Sequence, residues 1–235
     1  MATYALVHGA WHGAWCWERL TPELEGMGHR VIAMDLPIED SGATFDDYAT
    51  VVCDATKDVT DEDLVLVGHS MGGQTVPIVA GRRPLLRLVY LCGVPPIPGK
   101  PFVQQMAEES EMLNVDYQRG LGEKDSAGRR GWVDKERAHF HLYGDCDEAS
   151  ASVAFMRLRQ QSLAPYKLPS SLAAYPAVDT TYVLCSDDRM VNPDWSRRIS
   201  RDWLNAEPIE IPGSHSPFYS RPRMLAALLN QLTGR

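Results

Sequence analysis

A serine between glycines, a histidine near the end of the chain and an aspartate between the two are the residues with which this sequence could do covalent chemistry. Gly68-His69-Ser70-Met71-Gly72 follows directly on the apolar run Leu64-Val65-Leu66-Val67, and a helix-compatible stretch from Gly73 to Arg82 comes next. A Gly-x-Ser-x-Gly string alone carries little information. A buried strand running into it and a helix leaving it describe a tight turn with Ser70 at the tip, where the glycines leave room for strand and helix to pack closely. A serine hydroxyl is a poor nucleophile at neutral pH. It needs a base, an acid to orient that base, and donors for a developing oxyanion.

The chain offers each part, in the order nucleophile, acid, histidine. Ile209-Glu210-Ile211 reads as a short strand opening into Pro212-Gly213-Ser214-His215-Ser216-Pro217, a turn-rich loop with one histidine. Tyr182-Val183-Leu184-Cys185 is another buried-strand run, ending in Ser186-Asp187-Asp188. Acid and base would thus sit on loops after two successive strands, where ligand sites of open α/β sheets gather. Asp188 lies further past the strand end and can lean toward His215, with Asp187 facing solvent or capping a turn. At the N-terminus the strand Tyr4-Ala5-Leu6-Val7 runs into His8-Gly9-Ala10-Trp11-His12-Gly13. The backbone N–H groups of Met71, after the nucleophile, and of Ala10, in this first loop, are the expected oxyanion donors. His8 as a second base, or His8 with His12 as a metal pair, is set aside, because no carboxylate or third ligand lies nearby in sequence. Cys92 and Cys185 as nucleophiles are set aside too, since each lies in a strand run with no turn to expose it.

His-Gly-Ala-x-His-Gly-x-Trp at the start, Gly-His-Ser-Met-Gly-Gly after a strand, and Cys-x-Asp-Asp before a late Gly-x-His occur together in one family. The chain resembles an α/β-hydrolase of the group that holds plant methylesterases, hydroxynitrile lyases and bacterial small-ester hydrolases. The resemblance covers nearly the whole chain and is weakest in its middle. It implies Ser70, Asp188 and His215 as the triad, with the acid on the second aspartate, and Ala10 and Met71 as the oxyanion hole. It implies no cofactor and no metal. Members with hydroxynitrile lyase activity carry a threonine after the first motif histidine and a lysine after the catalytic one. Gly9 and Ser216 stand there instead. With no ammonium to receive departing cyanide, hydrolysis of a small-molecule ester is expected over cyanohydrin cleavage. A lactonase, a C–C lyase or a slow-turnover sensor on the same triad remain the alternatives.

The elements that must carry these loops alternate between strand and helix, the pattern of an α/β fold with a mostly parallel sheet and helices on both faces. Strands are expected over 3–8, 30–35, 64–68, 86–91, 180–185 and 207–211. Helices are expected over 15–26, from an N-cap at Thr44 to about Val59, over 193–204 and over 221–233. After Pro95-Pro96-Ile97-Pro98 the rhythm breaks. Residues 96–169 are read as a cap inserted into one core domain made of 1–95 and 170–235. Within the cap Phe102 to Leu113 is amphipathic, and a second helical stretch is expected near 149–161. Trp11, Trp132, Phe140, Tyr143, Phe155 and Met156 are the candidate pocket-lining residues. His139, His141 and Asp145 have a spacing that would suit metal ligands on a strand face, but a polar surface is the better reading. The Arg129-Arg130 pair reads as solvated surface charge.

Composition agrees. With 235 residues, 44% of them hydrophobic, the chain can bury one large core. A net charge of −8 argues against nucleic acid and anionic membranes as partners. A homodimer is compatible with the sequence. No basic-then-apolar leader and no run of membrane-spanning length stands in it, which predicts a mature cytoplasmic protein. Five cysteines is an odd number, and Cys16, Cys53, Cys92 and Cys185 lie in segments that suit buried thiols.

Overall fold

Successive strand residues point to opposite faces, and here both faces are buried. In the computed structural model, which describes residues 1–233, Tyr4 and Leu6 enter one apolar cluster while Ala5 and Val7 enter another. The main sheet is built of β1 (Thr3–Val7), β2 (Arg30–Ala33), β3 (Leu64–His69), β4 (Arg87–Leu91), β7 (Thr180–Cys185) and β8 (Ile209–Ile211), while the short β5 (Arg129–Arg130) and β6 (Gln161–Ser162) pair separately. The six strands of the main sheet run in the order β2-β1-β3-β4-β7-β8, all parallel. The expected α/β class with a parallel sheet is what forms. The register places Val7 beside Gly68 and His69 beside Leu91. The loops after β1, β3 and β4 therefore leave one edge of the sheet together, and those after β7 and β8 join them.

Nine helices follow in chain order among the described residues: α1 (Thr21–Gly26), α2 (Phe45–Thr56), α3 (Val76–Arg82), α4 (Phe102–Glu108), α5 (Lys135–Leu142), α6 (Glu148–Met156), α7 (Pro193–Asp202), α8 (Pro217–Ser220) and α9 (Pro222–Leu232). Leu24 of α1, Phe218 of α8 and Leu225 of α9 pack on one face of the sheet, and Val52 of α2, Val79 of α3 and Trp195 of α7 on the other. At the start of α2 the Asp47 N–H donates to Thr44 Oγ1 at 3.1 Å and the Thr44 N–H to Asp47 Oδ2 at 2.8 Å. This reciprocal pair satisfies two otherwise orphaned donors. The helix stops at Thr56, short of Val59, where Arg83 takes the Thr56 carbonyl at 2.6 Å.

Several expected boundaries shift. The helix foreseen over 15–26 is a 3-10 turn, Ala14–Trp17, followed by α1. Pro22 has no N–H to give and its ring excludes a preceding helical turn, so it sits in the first turn of a new helix. The strands foreseen over 30–35 and 207–211 are shorter, 30–33 and 209–211. His139 and His141, whose spacing would suit metal ligands on a strand face, lie instead on α5, whose N-cap Asp134 accepts the Arg137 N–H at 3.0 Å. Neighbours two apart on a helix diverge, so His139 and His141 do not share a face.

Residues 96–169 leave and rejoin the sheet through a narrow neck. Pro101 bridges Pro169, and the Ser170 N–H donates to the Lys100 carbonyl at 3.0 Å. The last two positions of the segment 170–235 lie outside the described residues. Among the described residues no helix is long and apolar enough to cross a membrane.

Candidate active site

Ser70 directly follows β3 and opens a 3-10 turn, Ser70–Gln74, that leads toward α3. Its φ of 50° is left-handed, a conformation that costs a non-glycine residue about 1–3 kcal/mol and persists only where the surroundings impose it. The surroundings here are backbone. A side chain on Gly72 would place Cβ 2.7 Å from the Val7 carbonyl oxygen, and one on Gly9 would place it 2.8 Å from Ser70 Cβ. The first N–H groups of such a turn have no partner within it, and Met71 carries one of them. Trp11 (φ 63°) and Cys92 (φ 45°), just beyond β1 and β4, are also left-handed. Among the described residues, three of the four left-handed non-glycine residues thus gather at the carboxyl edge of the sheet, and the fourth, Asn205, lies ahead of β8.

Asp188 and His215 meet at this edge. The His215 Nδ1–H donates to Asp188 Oδ2 at 2.8 Å, and both side chains are buried. The second carboxylate oxygen, Oδ1, accepts the N–H groups of Met190 at 2.8 Å and Val191 at 2.9 Å, which fixes the acid. A proton held on Nδ1 leaves the lone pair on Nε2. Asp187 is exposed. Its carboxylate accepts the Ser186 hydroxyl and its N–H binds the Gly213 carbonyl, so the partner of His215 is the second aspartate. His69, the residue before Ser70, donates Nε2–H to the His215 carbonyl at 2.9 Å, with the two rings 4.6 Å apart. Burial, and then the nearby His215, push the His69 pKa well below its ordinary value.

Two further histidines shape the first loop. His8 Nδ1–H donates to the Gly9 carbonyl at 2.8 Å while its Nε2 accepts the Leu36 N–H at 3.0 Å. A trans peptide points its C=O and N–H in opposite directions, so a fixed Gly9 carbonyl also aims the Ala10 N–H. His12 Nδ1–H donates to the Ala10 carbonyl at 2.8 Å, and its Nε2 accepts the Tyr143 hydroxyl at 2.8 Å. Each ring must be neutral to donate on one nitrogen and accept on the other. Burial ensures it, taking His8 down to about 4 and His12 to about 3. Neither ring has a nitrogen to spare for a metal.

The candidate lining residues divide. Trp11 and Trp132 meet edge-on, 5.6 Å between ring centroids, with Tyr117 5.9 Å from Trp11. Tyr143 is fully buried on His12, and Phe155 is half-buried against the same apolar cluster. Phe140 and Met156 are corrected. Met156 is 74% exposed at the end of α6, and Phe140 is 48% exposed on the solvent side of α5. Phe140 lies under the Arg189 guanidinium, beside an outer cleft of about 850 Å³ that Ser70 does not line. Arg129 and Arg130 are half-buried, Arg129 on Asp125 and Arg130 on the Gly122 carbonyl.

Sequence spacing gave no sign of three other features. Cys92 is left-handed rather than mid-strand, and its sulfur lies within 4.8 Å of the ligand atoms of Asp188 and His215. A hydrogen bond with Cys185 and burial keep this thiol protonated, well above its usual pKa. Asp145 reaches Ser214 and Arg221 across 69 and 76 residues. His69 reaches the His215 carbonyl across 146. Such separations leave no periodic trace in a sequence.

A model of the alpha/beta hydrolase family matches residues 5–228. Methylesterase 7 of Arabidopsis thaliana is 27% identical over 250 positions, covering 99% of this chain and 96% of that protein. The crystal structure of polyneuridine aldehyde esterase superposes with a TM-score of 0.84 at 22% identity, covering 99% of each chain. A pyrethroid hydrolase from Sphingobium faniae JZ-2 superposes at 0.82 with 22% identity, covering 99% of this chain and 97% of that one. At such identity the two structures speak to the fold.

Proposed function

Because the chain belongs to the alpha/beta hydrolase family, we propose that it is a cofactor-free serine esterase that cleaves compact carboxylic esters through an acyl-enzyme. The observation that carries this reading is the buried 2.8 Å bond between His215 and Asp188, on the same sheet edge as the left-handed Ser70. An incidental loop histidine has no reason to be buried with a fixed carboxylate on Nδ1 and a lone pair on Nε2.

Ser70 Oγ attacks the ester carbonyl as His215 Nε2 takes its proton, and Asp188 stabilises the imidazolium that results. The Ala10 and Met71 N–H groups receive the oxyanion, already aimed before the reaction begins. Collapse of the tetrahedral intermediate expels the alcohol, which takes the proton from His215. A water activated by the same imidazole then releases the acid from Ser70. Residues 96–169 act as a cap that limits water, with Trp11 and Trp132 as an apolar wall beside the carbonyl. Relatives named methylesterases favour a small alcohol as the leaving group. Ser216 has a buried hydroxyl without a partner and no ammonium, which favours hydrolysis over cyanohydrin cleavage.

The test is initial-rate hydrolysis of p-nitrophenyl and methyl esters of rising acyl length, wild type beside Ser70→Ala. Turnover on short acyl chains that falls about 10⁴–10⁶-fold in the variant supports the proposal. A Ser70→Ala protein that keeps most of its activity sinks it.

A further inference from the structure

Three alternate residues of one short segment each reach a different loop of this machinery. His141 lies one residue before the end of α5, is fully buried, and donates Nδ1–H to the Arg189 carbonyl at 2.9 Å, one residue beyond Asp188. Tyr143, the first residue past the helix, donates its hydroxyl to His12 at 2.8 Å, and His12 holds the Ala10 carbonyl. Asp145 accepts the Ser214 hydroxyl and, at 2.9 Å, the Arg221 Nε–H, so it clasps the loop on both sides of His215. Burial opposes the charge on Asp145. Hydrogen bonds from Ser214, Ser220 and Arg221 outweigh it and hold the carboxyl below its usual pKa.

The partners lie 48, 131 and 69 residues away. They belong respectively to the acid loop, the first loop and the histidine loop, which leave three different strands. The chain departs from helical geometry at Tyr143 (φ −131°, ψ 29°), and the Cys146 N–H closes a turn on the Tyr143 carbonyl at 2.8 Å. That bend lets side chains two apart point in different directions.

We propose that His141, Tyr143 and Asp145 are positioning residues that brace the acid, oxyanion and histidine loops against one another. The inserted segment then does more than cover the serine: its stretch 141–145 sets the register of the three loops. The proposal rests on the reading of Ser70, His215 and Asp188 as the triad. A displacement of about 1 Å in such a constellation costs about 100-fold in rate, so loss of one brace falls on kcat more than on KM.

The experiment uses the full chain with Tyr143→Phe, His141→Ala, Asp145→Ala and Asp145→Asn. It measures kcat and KM per folded molecule on the best p-nitrophenyl ester, and the low-field proton resonance of the His215 Nδ1–H bound to Asp188. Asp145→Ala and His141→Ala lower kcat by about tenfold or more, leave KM within about twofold, and weaken or shift the resonance. Asp145→Asn, which keeps an oxygen for the Ser214 hydroxyl, restores most of both. Tyr143→Phe lowers kcat but leaves the resonance in place, because it acts on the oxyanion loop alone. Activity lost only in proportion to unfolded protein, with the resonance unchanged throughout, overturns the brace. Wild-type protein without Ser70-dependent turnover contradicts the esterase reading instead. The resonance then decides the brace by itself: lost in Asp145→Ala it stands, unchanged it falls.

Discussion

Acidification below pH 6.5 should destabilise this protein along a slope set largely by the histidines of its first loop. His8 and His12 are buried as neutral rings with pKa values taken down to about 4 and about 3. In the unfolded chain both return to about 6.5. The native pKa is the lower one, so below pH 6.5 the unfolded chain takes up protons that the native state refuses. The stability these rings contribute is full above about pH 6.5 and is lost as pH falls toward 4. Each costs about 1.4 kcal/mol per pH unit in that window. By about pH 5 the pair has removed roughly 4 kcal/mol, and His69, shifted the same way, adds to it. A domain of this kind has about 5–15 kcal/mol in all. The assay is the urea midpoint at constant ionic strength from pH 7.5 to pH 5, with the m-value followed to establish a two-state transition. His12→Asn should reduce the slope by about 1.4 kcal/mol per pH unit. Stability at pH 5 within about 1 kcal/mol of that at pH 7, at constant m, would refute the reasoning. The first loop could not then be held by neutral imidazoles.

Three other outcomes follow from named contacts. Asp188→Asn should lower kcat by about 10⁴-fold by stranding His215 in the wrong tautomer, while Asp187→Asn changes it only a few-fold; steady-state kinetics with the reverse ranking contradicts the assignment. Gly9→Ala forces Cβ to 2.8 Å from Ser70 Cβ, so kcat should fall about 10²–10³-fold, as when an oxyanion donor is lost; unchanged turnover would mean the two segments have slack. Met156→Ala should leave KM alone and change stability by no more than about 0.5 kcal/mol, because the side chain is 74% exposed; a clear rise in KM returns Met156 to the pocket wall.

What the sequence disclosed was what short-range patterning controls. The apolar run before Gly68, the capping pair Thr44 and Asp47, and the turn residues after Ile211 declare themselves within a few positions, so the sheet and the loops at its edge could be drawn from them. Boundaries slipped where one residue overrode a periodic pattern, as Pro22 does in the stretch 15–26. Local patterning says least about residues 96–169. The polar helix α5 has little apolar periodicity to declare it, and the His-x-His spacing is as compatible with a strand face as with a polar surface. The roles of Asp145 and Tyr143 as partners of Ser214 and His12 leave no sequence signal, because those partners lie on other elements. Phe140 and Met156 show that an aromatic or a methionine near a site is not thereby inside it.

The claim on which the whole account rests is that Ser70 becomes acylated. The direct measurement is acid-quenched mass spectrometry of wild-type protein during turnover of p-nitrophenyl acetate, followed by peptide mapping. The account predicts the added mass of one acetyl group on the peptide that contains Ser70, absent in Ser70→Ala and persisting longer in variants that slow deacylation. Turnover with no acyl group on Ser70 at any quench time, or with the group on another residue, contradicts it.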